Sequence, residues 1–310
     1  MSRSRIFEST DYTDFWGQRT PGQTNALINL GCGLYPHEEM NEAALADKER
    51  RLHEALQRYR RVAVGFSGGV DSTLLLRVAR DVLGAAQVLA VIADTPSLPR
   101  AELAEAHALA DAMDVTCAVV HSTELDDPRY AENSRDRCYH CKRHLFTQIS
   151  AIASERGFDV VLDGNNADDA GDYRPGRRAA EELGVKSPLL EAGLTKAEIR
   201  ALSARLGLPT ADKPAMACLA SRIPYGSPVT VEALGQVERA EEALKARGFA
   251  QCRVRHHGDV ARIEVPDVDL PRLVAAEERH QIVDAIKAAG FQYVALDLQG
   301  YRMGSLNLSP

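Results

Sequence analysis

Arg61-Val62-Ala63-Val64-Gly65-Phe66 runs directly into Ser67-Gly68-Gly69-Val70-Asp71-Ser72-Thr73, and that junction decides the fold. A short apolar run without alternation reads as a strand buried on both faces, as in a parallel sheet. The glycines let the chain turn sharply, and residues 72–83 then take up helical spacing. Outward from this strand–turn–helix, the pattern repeats. Residues 88–93 read as a strand, 100–113 as a helix, 115–121 as a strand, 138–156 as a helix and 159–162 as a strand. On the other side, Leu52, Ala55, Leu56 and Tyr59 place a helix over 47–59. Strands alternating with helices of this length predict an α/β fold built on a doubly wound parallel sheet.

The pattern changes after residue 162. Thr195, followed three residues later by Glu198, has the spacing of a capping box and opens a helix over 195–206. Residues 211–228 read as a loop broken by Pro214, Pro224 and Pro228. A helix (231–247), two strands (252–256 and 260–265) joined through His257-Gly258-Asp259, a helix (270–289) and a strand (293–298) follow. This predicts a small α+β domain over 225–310, after a sheet domain over 46–224 and an N-terminal extension over 1–45 that lacks periodicity.

Composition narrows the chemistry. A net charge of −7 argues against a protein that coats nucleic acid or an anionic membrane. No apolar run reaches the roughly 20 residues of a membrane span, and the first residues lack the apolar stretch of a secretory signal. A cytoplasmic location is expected. In that compartment the six cysteines are expected to be thiols rather than disulfides. Cys117 lies in the apolar run 115–120 and reads as a small core residue, whereas Cys138, Cys141 and Cys218 have chemistry-bearing surroundings.

Gly68 and Gly69 allow consecutive backbone N–H groups to point into one concavity, and the helix that follows adds its positive end. Such a loop binds phosphate. Ser67, Ser72 and Thr73 supply hydroxyls, and Asp71 is suited to hold Mg2+ against the phosphates. No Gly-Lys-Ser/Thr occurs in the loop, so it is not the P-loop of kinases and GTPases. The Ser-Gly-Gly-x-Asp-Ser pattern resembles the PP-loop ATP pyrophosphatases. That resemblance implies ATP split between its α- and β-phosphates, with the loop holding the departing pyrophosphate while AMP is transferred to a substrate oxygen. It also implies that Ala93-Asp94 and Asp163-Gly164, at two strand ends, flank adenosine and substrate; capping explains those acids equally well.

Further stretches narrow the family. Asp163-Gly164 with Asp168 and Asp169, Asp172-Tyr173-Arg174-Pro175-Gly176, Cys218-Leu219-Ala220-Ser221-Arg222-Ile223-Pro224-Tyr225-Gly226, Arg253-Val254-Arg255 and Ala261-Arg262-Ile263-Glu264 resemble the LarE family of sulfur transferases. The resemblance spans residues 60 to about 300. It implies adenylation of the carboxylates of a pyridinium dicarboxylic acid mononucleotide and their conversion to thiocarboxylates, for a nickel-pincer cofactor used by lactate racemase. It also implies a homo-oligomer. In the single-cysteine branch, the position matching Cys218 gives up its own sulfur and becomes dehydroalanine. The added pair Cys138 and Cys141, one helical turn apart, resembles the three-cysteine branch, where Cys138, Cys141 and Cys218 would hold a [4Fe–4S] cluster. One iron would then stay open for an extra sulfide, and sulfide or a cysteine desulfurase would be the source.

Other readings stand beside this one. A zinc site would use the three cysteines with His140 or His144, and a sacrificial Cys218 would leave Cys138 and Cys141 as ordinary thiols. The rival activity is tRNA thiolation; the acidic net charge and the lack of an RNA-binding module weigh against it. An anionic substrate calls for arginines. Arg174, Arg222, Arg253 and Arg255 are the candidates, with Ser221, and Glu241 by its match to a position near the family's sulfur donor. Arg177 and Arg178 read equally well as surface residues, and Asp168, Asp169 and Asp172 as a capping face rather than a metal cluster.

Overall fold

The computed structural model describes residues 42–171 and 175–302. In chain order these form α1 (Glu42–Gln57), β1 (Val62–Gly65), α2 (Val70–Leu83), β2 (Val88–Asp94), α3 (Arg100–Ala112), β3 (Thr116–His121), α4 (Pro128–Ala131), α5 (Arg137–Glu155) and β4 (Val160–Leu162). After them come α6 (Pro175–Glu182), α7 (Pro188–Glu191), α8 (Lys196–Arg205), α9 (Val231–Ala246), β5 (Arg253–His257), β6 (Val260–Glu264), α10 (Leu270–Val274), α11 (Ala276–Ala288) and β7 (Tyr293–Leu296). They belong to one compact unit.

The first four strands make a parallel sheet in the order β3-β2-β1-β4, as the alternating pattern predicts. Both faces are covered. Val62, Val64, Val88, Ala90 and Ile92 meet the layer of α1, α2, α3 and α8, while Ala63, Leu89, Val91, Val120 and Val161 meet Phe146, Ile149 and Ala153 of α5. Neighbouring residues along each strand thus point into opposite layers, which is why the strands read as continuous apolar runs. The chain steps from β1 through β2 to β3 in one direction, then crosses to place β4 on the other side of β1. The carboxyl ends of β1 and β4 therefore flank a topological switch point, where open α/β sheets bind ligands.

The second sheet has the order β5-β6-β7, with β5 antiparallel to β6 and β6 parallel to β7. Its core is separate and includes Leu234, Val237, Val254, Ile263, Ile282 and Phe291. The capping box opening α8 is formed: Thr195 accepts from the Glu198 backbone N–H and Glu198 from that of Thr195.

Three expectations need correction. The first helix begins at Glu42, inside the span assigned to the extension; residues 1–41 lie outside the described residues. The helix expected over 270–289 is two helices, because Ala275 adopts an extended ψ of 139°. The stretch 211–228 is a loop but carries a short 3-10 turn, Leu219–Arg222. Among the described residues no helix is long and apolar enough to cross a membrane.

Candidate functional site

The predicted phosphate loop leaves β1 and enters α2 at the switch point. Gly68 has φ +69° and lies so close to α3 that a Cβ would stand 3.1 Å from that of Ala106. Gly69, the N-cap of α2, has φ −81°, and a Cβ there would make only ordinary contacts with Ser67 Oγ (3.4 Å) and Met216 (3.9 Å). The Ser72 hydroxyl accepts from the Ser67 N–H and donates to the Gly69 carbonyl, which pins the turn closed. Ser67 is exposed, whereas Ser72 is buried and Thr73 fully so, with its hydroxyl unpartnered. Of the three predicted hydroxyl donors, Ser67 is therefore the accessible one.

Asp71 faces the loop emerging from β4. Its carboxylate accepts from Lys196 Nζ at 2.5 Å and from Asn166 Nδ2 at 3.3 Å. Gly164 packs against the start of α2, where an added Cβ would meet the Ser72 backbone nitrogen at 3.1 Å. A glycine is needed there because the two strand ends converge. Asp163 turns inward and accepts from Ser187 Oγ (2.6 Å) and Asn165 Nδ2 (2.6 Å); burial pushes its pKa up. Its carboxylate ties the loop after β4 together, accepting also from the Asn165 N–H. Asp168 accepts from the Lys196 N–H at the first turn of α8, and Asp169 from the Asn166 N–H, the capping roles expected of them. Ala93, half-buried at the end of β2, precedes Asp94, which pairs with Arg100 and His121.

The loop from Ala211 to Cys218 crosses this mouth. Lys213 Nζ reaches the Gly68 carbonyl at 3.2 Å and pairs with Glu102 and Glu105. Met216 lies over Gly69, and the Leu219 N–H then bonds to the Ser97 carbonyl beyond β2. Lys196 and Lys213 place ammonium groups beside the phosphate loop, each held by carboxylates. Sequence reading missed both, because nothing local to either marks it as a neighbour of residues 67–71.

The same loop meets the cysteine helix. Arg137, buried at the start of α5, donates to the Ala220 carbonyl (2.8 Å) and to Asn133. Asn133 in turn donates to the carbonyls of Ile223, Pro224 and Ser227. Burial opposes the Arg137 charge, yet the nearby Cys218 and Cys138 sulfurs hold its pKa above the ordinary guanidinium value. Cys138 and Cys218 are exposed. The Cys141 thiol donates to Glu124 Oε2 at 3.0 Å, and the other oxygen of Glu124 accepts from Ser97 Oγ at 2.7 Å. Burial, reinforced by Glu124, pushes the Cys141 thiol well above its usual pKa. The helix N-terminus, which favours thiolates, is outweighed at this position. Among the described residues no three His, Cys, Asp or Glu side chains converge as ligands of a single metal ion.

The predicted arginines divide. Arg222, 3% exposed, forms a two-pronged pair with Glu241 (2.8 and 2.9 Å) and donates to the Cys218 carbonyl (2.8 Å) and Ser221 Oγ (3.0 Å). Arg255 pairs with the fully buried Glu264 and donates to the Ser221 carbonyl. These residues, expected to bind substrate, form the floor that holds the Cys218 loop. Arg253 reaches the Cys252 and Ala215 carbonyls and makes no ion pair among the described residues; burial, with Arg222 close by, lowers its pKa. Arg177 and Arg178 pair with Glu181 and Glu182 one turn away. Arg174 and Asp172 lie outside the described residues. Cys117 is packed against the core as expected, and Cys252 is fully buried.

Three relatives and one family resemble this chain. The NAD synthase family matches residues 46–137. An uncharacterised Synechocystis protein is 43% identical over 85% of this chain and 98% of its own length. The pyridinium-3,5-bisthiocarboxylic acid mononucleotide synthase of Lactiplantibacillus plantarum is 38% identical over 86% of this chain and 95% of its own. An uncharacterised Methanocaldococcus jannaschii protein is 28% identical over 78% and 91%.

Proposed function

This chain belongs to the LarE family of pyridinium-3,5-bisthiocarboxylic acid mononucleotide synthases, and we propose that it converts the two carboxylates of pyridinium-3,5-biscarboxylic acid mononucleotide to thiocarboxylates at the expense of ATP. One observation carries this reading. A single loop, from Lys213 at the Gly68 carbonyl to Ala220, whose carbonyl accepts from Arg137 of α5, joins the phosphate loop to the cysteine-bearing helix. Activation and sulfur delivery then share one mouth.

A substrate carboxylate oxygen attacks the α-phosphorus of ATP, and the bond to the β-phosphate oxygen breaks. The N–H groups of the loop, the positive end of α2 and the ammonium groups of Lys196 and Lys213 take up charge on the departing pyrophosphate. Asp71 is the carboxylate that would hold Mg2+, in exchange for Lys196; bound Mg2+ neutralises the phosphates. A sulfur nucleophile next adds to the activated acyl carbon, and AMP leaves with the carboxylate oxygen. Repetition on the second carboxylate completes the product. Arg253 is the described arginine best placed to meet a substrate anion.

We propose that Cys138, Cys141 and Cys218 would together hold a [4Fe–4S] cluster. Cys138 and Cys218 are exposed beside the buried Arg137 guanidinium, Cys141 is half-buried on the helix that carries Cys138, and each thiolate of such a cluster would bind a different iron, so convergence on one point is not required. With three thiolates, the cluster supplies an iron open to exogenous sulfur. Sulfide or a cysteine desulfurase as the source, a cytoplasmic location and a homo-oligomeric assembly belong to the same proposal. So does the division into a nucleotide part over 46–224 and a small α+β part over 225–310.

The test is anaerobic purification, iron and sulfide analysis, then incubation with Mg2+, ATP and the dicarboxylic mononucleotide. AMP, pyrophosphate and a thiocarboxylate product are expected, with the mass of the protein unchanged. No substrate-dependent pyrophosphate would overturn the activity. An iron-free protein that makes product and loses one sulfur at Cys218 would replace the cluster with sacrifice.

A further inference from the structure

Asn166, in the loop after β4, is 4% exposed and neutral, yet it touches three acidic residues. Its backbone N–H donates to Asp169 (3.0 Å), its Oδ1 accepts from the Asp168 N–H (3.0 Å), and its Nδ2 donates to Asp71 Oδ1 (3.3 Å). The Asp168 N–H needs an acceptor, so the amide oxygen stays on that side and the NH2 end faces Asp71. The two oxygens of Asp71 therefore have unlike partners. Oδ1 meets the buried, neutral amide, and Oδ2 meets the ammonium of Lys196, whose side chain is 32% exposed.

Mg2+ is a hard cation that binds through one or two carboxylates together with the phosphates of its nucleotide, and it demands close control of ligand geometry. An ion arriving with ATP repels the Lys196 ammonium but not a neutral amide. Oδ2 is then the oxygen that changes partner, and Oδ1 keeps the one it has. We propose that Asn166 is the positioning residue that holds the Asp71 carboxylate in place for Mg2+ once Lys196 has let go. It acts through Asp71 alone, as an outer partner that fixes a ligand's orientation. Anchored by its own N–H and Oδ1, the amide has no freedom to follow Lys196 away. The inference rests on the Mg2+ role of Asp71 proposed above.

Asn166→Ser separates this role from a structural one. Its hydroxyl can still accept from the Asp168 N–H, as serine does in such turns, but is too short to reach Asp71. Calorimetry gives the Kd for ATP twice, in EDTA and in saturating Mg2+, and the ratio reports what the metal adds. In the variant that ratio is expected to fall about 10-fold or more, while metal-free ATP binds within about twofold of wild type. An unchanged ratio would overturn the proposal. So would metal-free binding that weakens as much as metal-bound binding, since the loop would then be distorted as a whole. A wild-type protein whose affinity ignores Mg2+ would overturn the metal role of Asp71 and this inference with it. A wild-type protein whose Mg2+ effect depends on Asn166, but which releases no pyrophosphate with the dicarboxylic mononucleotide, would uphold the inference and sink the proposed substrate.

Discussion

The two glycines of the phosphate loop look interchangeable in the sequence and are not so in the structure. Gly68 is left-handed and nearly touches α3, while Gly69 has a backbone open to any residue. Gly68→Ala is expected to cost about 1–3 kcal/mol from backbone strain alone, with further loss as α3 is pushed away. Gly69→Ala is expected to change stability by no more than about 0.5 kcal/mol. Thermal unfolding of the two variants side by side checks this; equal losses would mean that Gly68 does not hold the turn. Residue chemistry of this kind was legible where it is contiguous, as in 67–73 or the Thr195 capping box. It was not legible where partners lie far apart in the chain. Lys196 finds Asp71 across 125 positions, and Lys213 finds the Gly68 carbonyl across 145.

The strands and long helices could be read because burial imposes a period on them. Short helices lack the length to show one, and α4 and α7 were missed for that reason. Both still carried a signal: Asp127-Pro128 and Ser187-Pro188 put a capping residue before a first-turn proline. The partners of the arginines were hidden for another reason. Alternation on β5 placed Arg253 and Arg255 on one face, but only tertiary contacts reveal that Arg255 is tied to Glu264 and Arg222 to Glu241. At the scale of the element, the Arg222–Glu241 pair clamps the Cys218 turn to α9, with the Val254 N–H of β5 as a third member. Arg222→Ala leaves a buried carboxylate uncompensated and is expected to destabilise by about 3–5 kcal/mol. Arg222→Met with Glu241→Met is expected to recover most of that loss. Denaturant titrations of the single and double variants decide it; a double variant as unstable as the single would show that the loop contacts, not the pair, dominate.

At the scale of the whole molecule, the proposed function assigns activation to the mouth of the sheet and sulfur delivery to the loop ending at Cys218. The two should therefore be separable by substitution. Asp71 faces the phosphate loop and Lys196, far in sequence from the thiols, so Asp71→Asn is expected to lower pyrophosphate release about 100-fold or more and thiocarboxylate formation with it. Cys218 is exposed and its backbone is anchored independently of its side chain, since Arg222 grips its carbonyl and Ser97 holds the next N–H. Cys218→Ala should then leave the loop in place. Substrate-dependent pyrophosphate release is expected to stay within about threefold of wild type, because no contact to the phosphate loop is lost, while thiocarboxylate product disappears from the mass spectrum. Product made by Cys218→Ala would place the sulfur elsewhere. Pyrophosphate release lost together with product would mean that the thiol is needed before the acyl adenylate forms, and that the two halves act as one.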